Sequence, residues 1–227
     1  MSRERLAVES GLSWSAITQI EAGRRPNPRA NTLAELSAAL GVTVEYLLGT
    51  SGATGALLDH YALIYREVAD FVETAGPFLE DGVATADATL VVTDLKNADA
   101  LREHLGEAAA DIRFADRQTW YCSPRDALVG YRQFATEALD AGASWVRIIG
   151  EPVWAGRTPE EIQSWVRYEA LLNLSFASVP MTLACPYNET AVDQTIVGDA
   201  RATHYCCLER GHSTPNREFS DPAELFL

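Results

Sequence analysis

The side chains best suited to chemistry lie beyond the first quarter of the chain. Asp94, Asp116, Glu151 and Tyr187 each follow a short apolar run that reads as a β-strand. In an open α/β sheet, ligands bind beyond the carboxyl ends of the strands. All four are therefore candidates, although an Asp after a strand is also an ordinary turn residue. Glu151 stands out because it opens the irregular loop Glu151-Pro-Val-Trp154-Ala-Gly-Arg157, which carries a charge pair and a tryptophan. The helix expected next is capped by Thr158, with Pro159 at its first position and Glu161 completing a capping box. Its apolar stripe of Ile162, Trp165, Val166 and Phe176 is interrupted by Glu169 and Asn173. A carboxylate and an amide on such a stripe are costly unless satisfied. They either tie down the preceding loop or line a pocket beneath it. Convergence with His60, Cys185, Tyr187 and His204 would give one concave site, a few polar groups among aromatic walls, suited to a small organic ligand.

Other chemistries are less well supported. The cysteines are Cys122, Cys185, Cys206 and Cys207, with no C-x-x-C pair. Adjacent residues on a strand point to opposite faces, so the run from His204 through Cys206 and Cys207 to His212 reads as buried thiols. Metal or redox sensing is the alternative there. A Cys185–His204–Glu151 hydrolase arrangement can be written but lacks the sequence context of a nucleophile. The phosphate-loop pattern G-x-x-x-x-G-K-[ST] is absent, and the one lysine, Lys96, follows Asp94-Leu95. No catalytic residue, metal ligand or cofactor is assigned, and the protein is not expected to be an enzyme.

The elements that must position these groups alternate. Helices are expected over 61–75, 98–105, 125–141 and 159–177, and strands over 89–93, 111–115, 144–149 and 181–185. This order predicts an α/β domain, a mostly parallel sheet with helices on both faces. With 227 residues there is room for one small and one medium domain. The chain has no apolar run long enough to span a membrane and no signal peptide, so no membrane partner and a cytoplasmic location are expected. Net charge is −14, all of it beyond residue 50: the first 50 residues carry five Arg against five acids, and the remainder 13 basic against 27 acidic groups. An acidic body repels phosphate, so any contact with DNA belongs to the N-terminal part.

That part reads as all-α. Arg3–Ser10 forms one helical stretch with Leu6 inward, Gly11-Leu12 a turn, and Ser13 the cap of a helix over 14–22 with Ile17 and Ile20 inward, stopped by Gly23. Two short helices joined by a tight glycine turn can lay the second into a major groove. An Arg/Pro-rich loop, 24–29, leads to a third helix with a capping box Thr32-x-x-Glu35 and Leu33, Leu36 and Leu40 at helical spacing. Domains are expected at 1–49 and 58–227, joined by a small-residue linker over 50–57.

Two family resemblances rest on these residues. The run Ile17-Thr18-Gln19-Ile20-Glu21-Ala22-Gly23-Arg24-Arg25, followed by Pro28, Leu33-Ala34-x-Leu36 and Ala39-Leu40-Gly41-Val42, resembles the XRE (Cro-type) helix-turn-helix. The resemblance implies base reading by Trp14, Ser15, Ala16, Thr18 and Gln19, with Arg24 and Arg25 on phosphates. It also implies a homodimer on two half-sites. XRE domains usually open with one more helix, so the core bearing Leu6, Ile17 and Leu36 is expected to lack one wall, and Glu21 its usual Arg partner. The second set is His60-Tyr61-Ala-Leu-Ile-Tyr65, Gly150-Glu-Pro-x-Trp154-x-Gly156-Arg157, Tyr168-Glu-Ala-Leu-Leu-Asn173-x-x-Phe176-Ala177, Cys185-Pro-Tyr187 and Ala202-x-His204. It resembles the MEDS domain, a sensory domain of methanogen and methylotroph proteins. This implies a RecA-like fold without a phosphate loop and a role in sensing small organic molecules. The candidate ligand-binding residues are His60, Tyr65, Asp94, Glu151, Trp154, Arg157, Glu169, Asn173, Cys185, Tyr187 and His204. The expected function is a one-component transcriptional regulator. The alternatives are an anti-sigma-type interaction module with a vestigial head, and a Cys/His metal or redox sensor.

Overall fold

The computed structural model describes residues 3–21, 28–40, 44, 58–209, 212–216 and 218–220. Contacts divide the chain into two units, Met1–Leu57 and Leu58–Leu227. In the first, α1 (Arg3–Ser10), α2 (Trp14–Glu21) and α3 (Ala30–Leu40) follow the expected order. Gly11 makes the turn at a φ of 70°, a left-handed conformation that glycine adopts without strain. Ser13 caps α2, its hydroxyl accepting the Ala16 N–H at 3.2 Å. Leu6, Ile17 and Leu36 are buried against one another and flanked by Ala7, Leu12, Ile20 and Ala39. The three helices share this small core, and Val8 stands exposed. One expectation needs correction: α3 starts at Ala30, with the Leu33 N–H on the Arg29 carbonyl. Thr32 therefore sits inside the first turn and does not cap it. The stop at Gly23, the loop arginines Arg24 and Arg25, and the linker over 50–57 lie outside the described residues.

The second unit is built on a seven-stranded sheet ordered β3-β2-β4-β5-β1-β6-β7. Its strands are β1 (Leu58–Tyr65), β2 (Ala88–Thr93), β3 (Ile112–Asp116), β4 (Val146–Gly150), β5 (Met181–Asn188), β6 (Cys206–Glu209) and β7 (His212–Pro215). All neighbours are parallel except β6 and β7, which pair antiparallel at one edge. Parallel strands need long crossovers, and here helices supply them. On one face, α4 (Val68–Ala84) and α5 (Leu95–Leu105) pack Phe71, Leu79 and Leu101 on Leu63, Val91 and Ile149. On the other, α7 (Pro124–Asp140), α8 (Pro159–Ser175) and α9 (Gln194–Thr203) pack Tyr131, Trp165, Leu172 and Ile196 on Ala62, Leu90, Ile148 and Leu183. A four-residue turn of helix, α6 (Arg117–Trp120), follows β3. Among the described residues, no helix is long and apolar enough to cross a membrane.

The structure corrects the sequence reading in three places. Residues 61–65 are not helical; they belong to β1, paired with β5 on one side and β6 on the other. The helix starts only at Val68, after Arg66-Glu67, and continues through Pro77 to Ala84, because Phe78 and Leu79 beyond the proline are buried. Pro186 and Tyr187 lie within β5 rather than after it. Proline cannot donate to a sheet ladder, but β5 pairs with β4 only as far as Ala184, so Pro186 breaks no bond on that side.

Gly150 ends β4 where an added methyl would run into the hydroxyls of Tyr131 and Tyr121, whereas Gly198 in α9 has open space. Gly150→Ala should destabilise by about 1–3 kcal/mol through overpacking. Gly198→Ala should stabilise by about 0.5–1 kcal/mol through helix propensity. Urea unfolding of the two variants checks both signs, and equal effects would contradict the packing described.

Candidate functional site

β2 and β4 lie side by side, yet the helices that follow them, α5 and α8, cover opposite faces. Such a divergence opens a crevice at the strand ends. Glu151 sits in it as the first residue past β4, its N–H bonded to the Val92 carbonyl at 2.8 Å. Its carboxylate is buried and fully engaged. One oxygen accepts from the Tyr65 hydroxyl and pairs with Arg117 Nη1, both at 2.6 Å. The other accepts from the Thr93 hydroxyl and from Asn97 Nδ2. Asp94 caps α5 through the Asn97 N–H at 2.9 Å and holds Arg117 Nη2 at 3.1 Å. Burial, and then the charge of Glu151, push the Tyr65 phenol above its usual range. The crevice has a volume of about 140 Å³, with Tyr65, Asp94, Arg117, Glu151 and Trp154 among its walls. Two buried donors of these walls, Arg117 Nε and Trp154 Nε1, have no hydrogen-bond partner.

A second cluster is closed off on the α8 side of the sheet. Residues two apart share a face of a strand, so His60 joins Ala62 on β1 and Cys185 joins Leu183 on β5. Glu169 comes from the buried stripe of α8, and His204 is the residue that ends α9. His60 Nε2 lies 3.3 Å from Cys185 Sγ. Both His60 Nε2 and His204 Nε2 lie 3.6 Å from Glu169 Oε2. His60 Nδ1 meets Asn173 Oδ1 at 3.1 Å, and the Asn173 amide is oriented by donating Nδ2 to the Thr203 carbonyl at 2.9 Å. His204 Nδ1 faces the Ala200 carbonyl at 2.7 Å. Each Nδ1 therefore carries the proton, and each Nε2 turns a lone pair inward. Burial holds the His60 imidazole down to about 4 against a push from Asn173. Burial and the nearness of His60 hold His204 down to about 3. Burial raises Glu169 to about 7, tempered by His204 and the Cys185 thiol, and raises the Cys185 thiol itself. Apart from the Cys185 thiol, neither Glu169 oxygen faces a hydrogen-bond donor, and the hydroxyls of Tyr168 and Tyr187 beside it are unpaired. The groups of His60, Glu169, Cys185 and His204 lie within 4.8 Å of one another, close enough to hold one metal ion.

Comparison with known proteins places both units. The family described as MEDS, the methanogen/methylotroph DcmR sensory domain, matches residues 59–205. The chain belongs to this family. A helix-turn-helix family matches residues 1–47. No curated protein and no solved structure matched the chain. The N-terminal unit is thus a helix-turn-helix of a DNA-binding regulator and the sheet unit is a MEDS sensory domain, in the order the sequence suggested.

Within the MEDS domain the eleven candidates do not form one concave site. Tyr65, Asp94, Glu151 and Trp154 line the crevice, while His60, Glu169, Asn173, Cys185, Tyr187 and His204 belong to the closed cluster. Trp154 and Tyr187, stacked at 5.8 Å between ring centroids, form the partition. Arg157 joins neither group. It donates to the carbonyls of Val153 and Tyr121 and lies 4.5 Å above the Trp165 ring, so it ties its loop to the core. Glu169 and Asn173 do not tie that loop. The Cys185–His204–Glu151 relay is not formed, because the Glu151 carboxylate is held in the crevice. Thr93, Asn97 and Arg117 were not foreseen. Arg117 had a signal, since it follows Asp116 directly past a strand end. On α2, Trp14, Ser15 and Gln19 are exposed and Ala16 and Thr18 half-buried; Arg24 and Arg25 lie outside the described residues.

Removing one partner of a buried ion pair leaves the other uncompensated. Glu151→Ala should therefore cost about 3–5 kcal/mol in chemical denaturation, while Asp99→Ala, from an exposed pair with Arg102, should cost little. A Glu151 variant as stable as the parent would mean that the network does not organise the strand ends.

Proposed function

We propose that this protein is a one-component transcriptional regulator. In this reading α2 reads DNA, and the MEDS domain senses a small organic molecule that alters operator binding. The observation that carries the reading is the fusion itself, a helix-turn-helix unit and a sensory domain in one chain. The shape of α2 supports it: Ile17 is buried in the core while Ser15 and Gln19 face solvent, available to hydrogen-bond base edges. The charge distribution supports the same division of labour, since the acidic remainder would repel a phosphate backbone. One neutral head has little affinity alone, so the working form is a homodimer spanning two half-sites.

The crevice suggests the class of ligand. At about 140 Å³ it falls below the ~300 Å³ at which drug-sized sites begin, so the molecule is small. Arg117 is already matched by Asp94 and Glu151, which leaves no spare positive charge for an anion. The N–H groups of Arg117 Nε and Trp154 Nε1 are buried in the same walls without an acceptor. A small neutral molecule bearing oxygen suits both conditions, reaching these donors when the side chains of the walls shift to admit it. It is bound rather than turned over.

Gln19→Ala should relax discrimination at one operator base pair by about 1–3 kcal/mol, read by competition between single-base-pair variants. Arg24→Ala with Arg25→Ala should weaken all sequences alike and flatten the salt dependence. Undiminished discrimination in the folded Gln19 variant would remove α2 from base reading. For the crevice, a thermal-shift screen of short alcohols, aldehydes, ketones and amides should find a stabilising compound. Its effect should reach about 2.7 kcal/mol at ~100 times its dissociation constant and vanish in Trp154→Ala. A variant that responds as the parent does would place the ligand elsewhere.

A further inference from the structure

The closed cluster poses a problem that its own hydrogen bonds leave unsolved. Three acceptors converge on one point: the Nε2 lone pairs of His60 and His204 and the carboxylate of Glu169. Two protons at most are available among them: that of the Cys185 thiol, 3.3 Å from His60 and also facing Glu169, and that of Glu169 in its protonated form. His204 Nε2 and both oxygens of Glu169 are buried without an N–H or O–H partner. At 3.6 Å the two imidazole–carboxylate contacts are too long for hydrogen bonds.

Those separations fit a different bond. Four ligands at zinc distances and tetrahedral angles have nitrogen–oxygen edges of about 3.4 Å and nitrogen–sulfur edges of about 3.6 Å. The structure gives 3.6 Å for each nitrogen to oxygen and 3.3 Å for nitrogen to sulfur, and keeps all four ligand atoms within 4.8 Å of one another, so small shifts of the ligand atoms complete the shell. The outer nitrogens are already secured, His60 Nδ1 by Asn173 and His204 Nδ1 by the Ala200 carbonyl. This is the support that metal-bound imidazoles receive from their surroundings. We propose that His60, Glu169, Cys185 and His204 bind one dipositive transition-metal ion, of which zinc is the best match. On binding, Cys185 releases its thiol proton to solvent, and thiolate and carboxylate together balance the ion's charge, leaving a neutral buried centre. Sulfur and imidazole donors disfavour calcium and magnesium, which take oxygen ligands. Four protein ligands fill the tetrahedron, so the ion staples β1, α8, β5 and the end of α9 rather than activating water. The site lies apart from the crevice and does not depend on the regulatory reading.

Elemental analysis of the full-length protein, purified without a histidine tag, should find one equivalent of zinc per chain. Replacement by cobalt should give the visible bands of a tetrahedral centre with a thiolate charge-transfer band. Cys185→Ser should abolish that band and Cys206→Ser should leave it intact. Asn173→Ala, which removes only the support of His60, should weaken zinc binding by about 10–100-fold. If a variant does not fold, the cobalt spectrum of the parent still decides the thiolate and the geometry. A parent protein that is purified without metal and takes up neither zinc nor cobalt overturns the proposal. So does a cobalt spectrum unchanged in Cys185→Ser. Neither readout involves DNA, so a metal-loaded protein that ignores its operator would count against the regulatory reading alone.

Discussion

A carboxylate taken out of water must be surrounded by donors, and the Glu151 side chain imposes that demand where β2 and β4 diverge. Tyr65 from β1, Thr93 from β2, Asn97 from α5 and Arg117 from α6 all turn inward to meet it. Each of these residues lies on a different element, so one buried charge fixes how five pieces of chain come together. Asp94 doubles the hold on Arg117 and starts α5 at the same time. The crevice is the space that this network leaves between strand ends whose helices have gone to opposite faces.

The closed cluster obeys the same electrostatics with a different result. Glu151 has both oxygens answered by N–H and O–H donors, while Glu169 faces only the Cys185 thiol. The two carboxylates are linked along the chain, since the loop that starts at Glu151 leads into the helix that carries Glu169. They are linked in space by the stack of Trp154 on Tyr187, whose ring in turn meets His204 edge-on at 5.8 Å. The crevice and the cluster therefore share one loop and one pair of rings.

Much of this was legible in the sequence because period and punctuation agreed. The strands β2, β3 and β4 were apolar runs closed by an acid or glycine, and α8 announced itself through Thr158, Pro159 and Glu161, which form the expected capping box. β1 was not legible as a strand. Tyr61, Ala62 and Tyr65 also satisfy helical spacing, and only Arg66-Glu67 separates the strand from a true helix. Six members of the cluster were legible as candidates, and so was their convergence, but in one concave site shared with the strand-end loop; that they form a closed cluster of their own was not, since the four groups able to hold a metal span 145 positions on four elements. No local spacing betrays such a site. Arg157 misled because a charged residue in a candidate loop carries no mark that its donors are spent on the carbonyls of Val153 and Tyr121. Thr93 and Asn97 looked like ordinary strand and helix residues, and only the direction of their side chains gives them a role.

A regulator of this design works through a difference: the sensed molecule must favour the DNA-competent arrangement over the other, or the reverse. Coupling of that kind is reciprocal, so operator binding must change the affinity for the ligand by the same factor as the ligand changes operator affinity. Calorimetric titration of the stabilising compound into free protein and into operator-bound protein measures that factor directly. The account predicts two dissociation constants that differ several-fold, in agreement with the shift in operator affinity. Equal constants would mean that the MEDS domain and the helix-turn-helix unit do not communicate, and would contradict the regulatory reading.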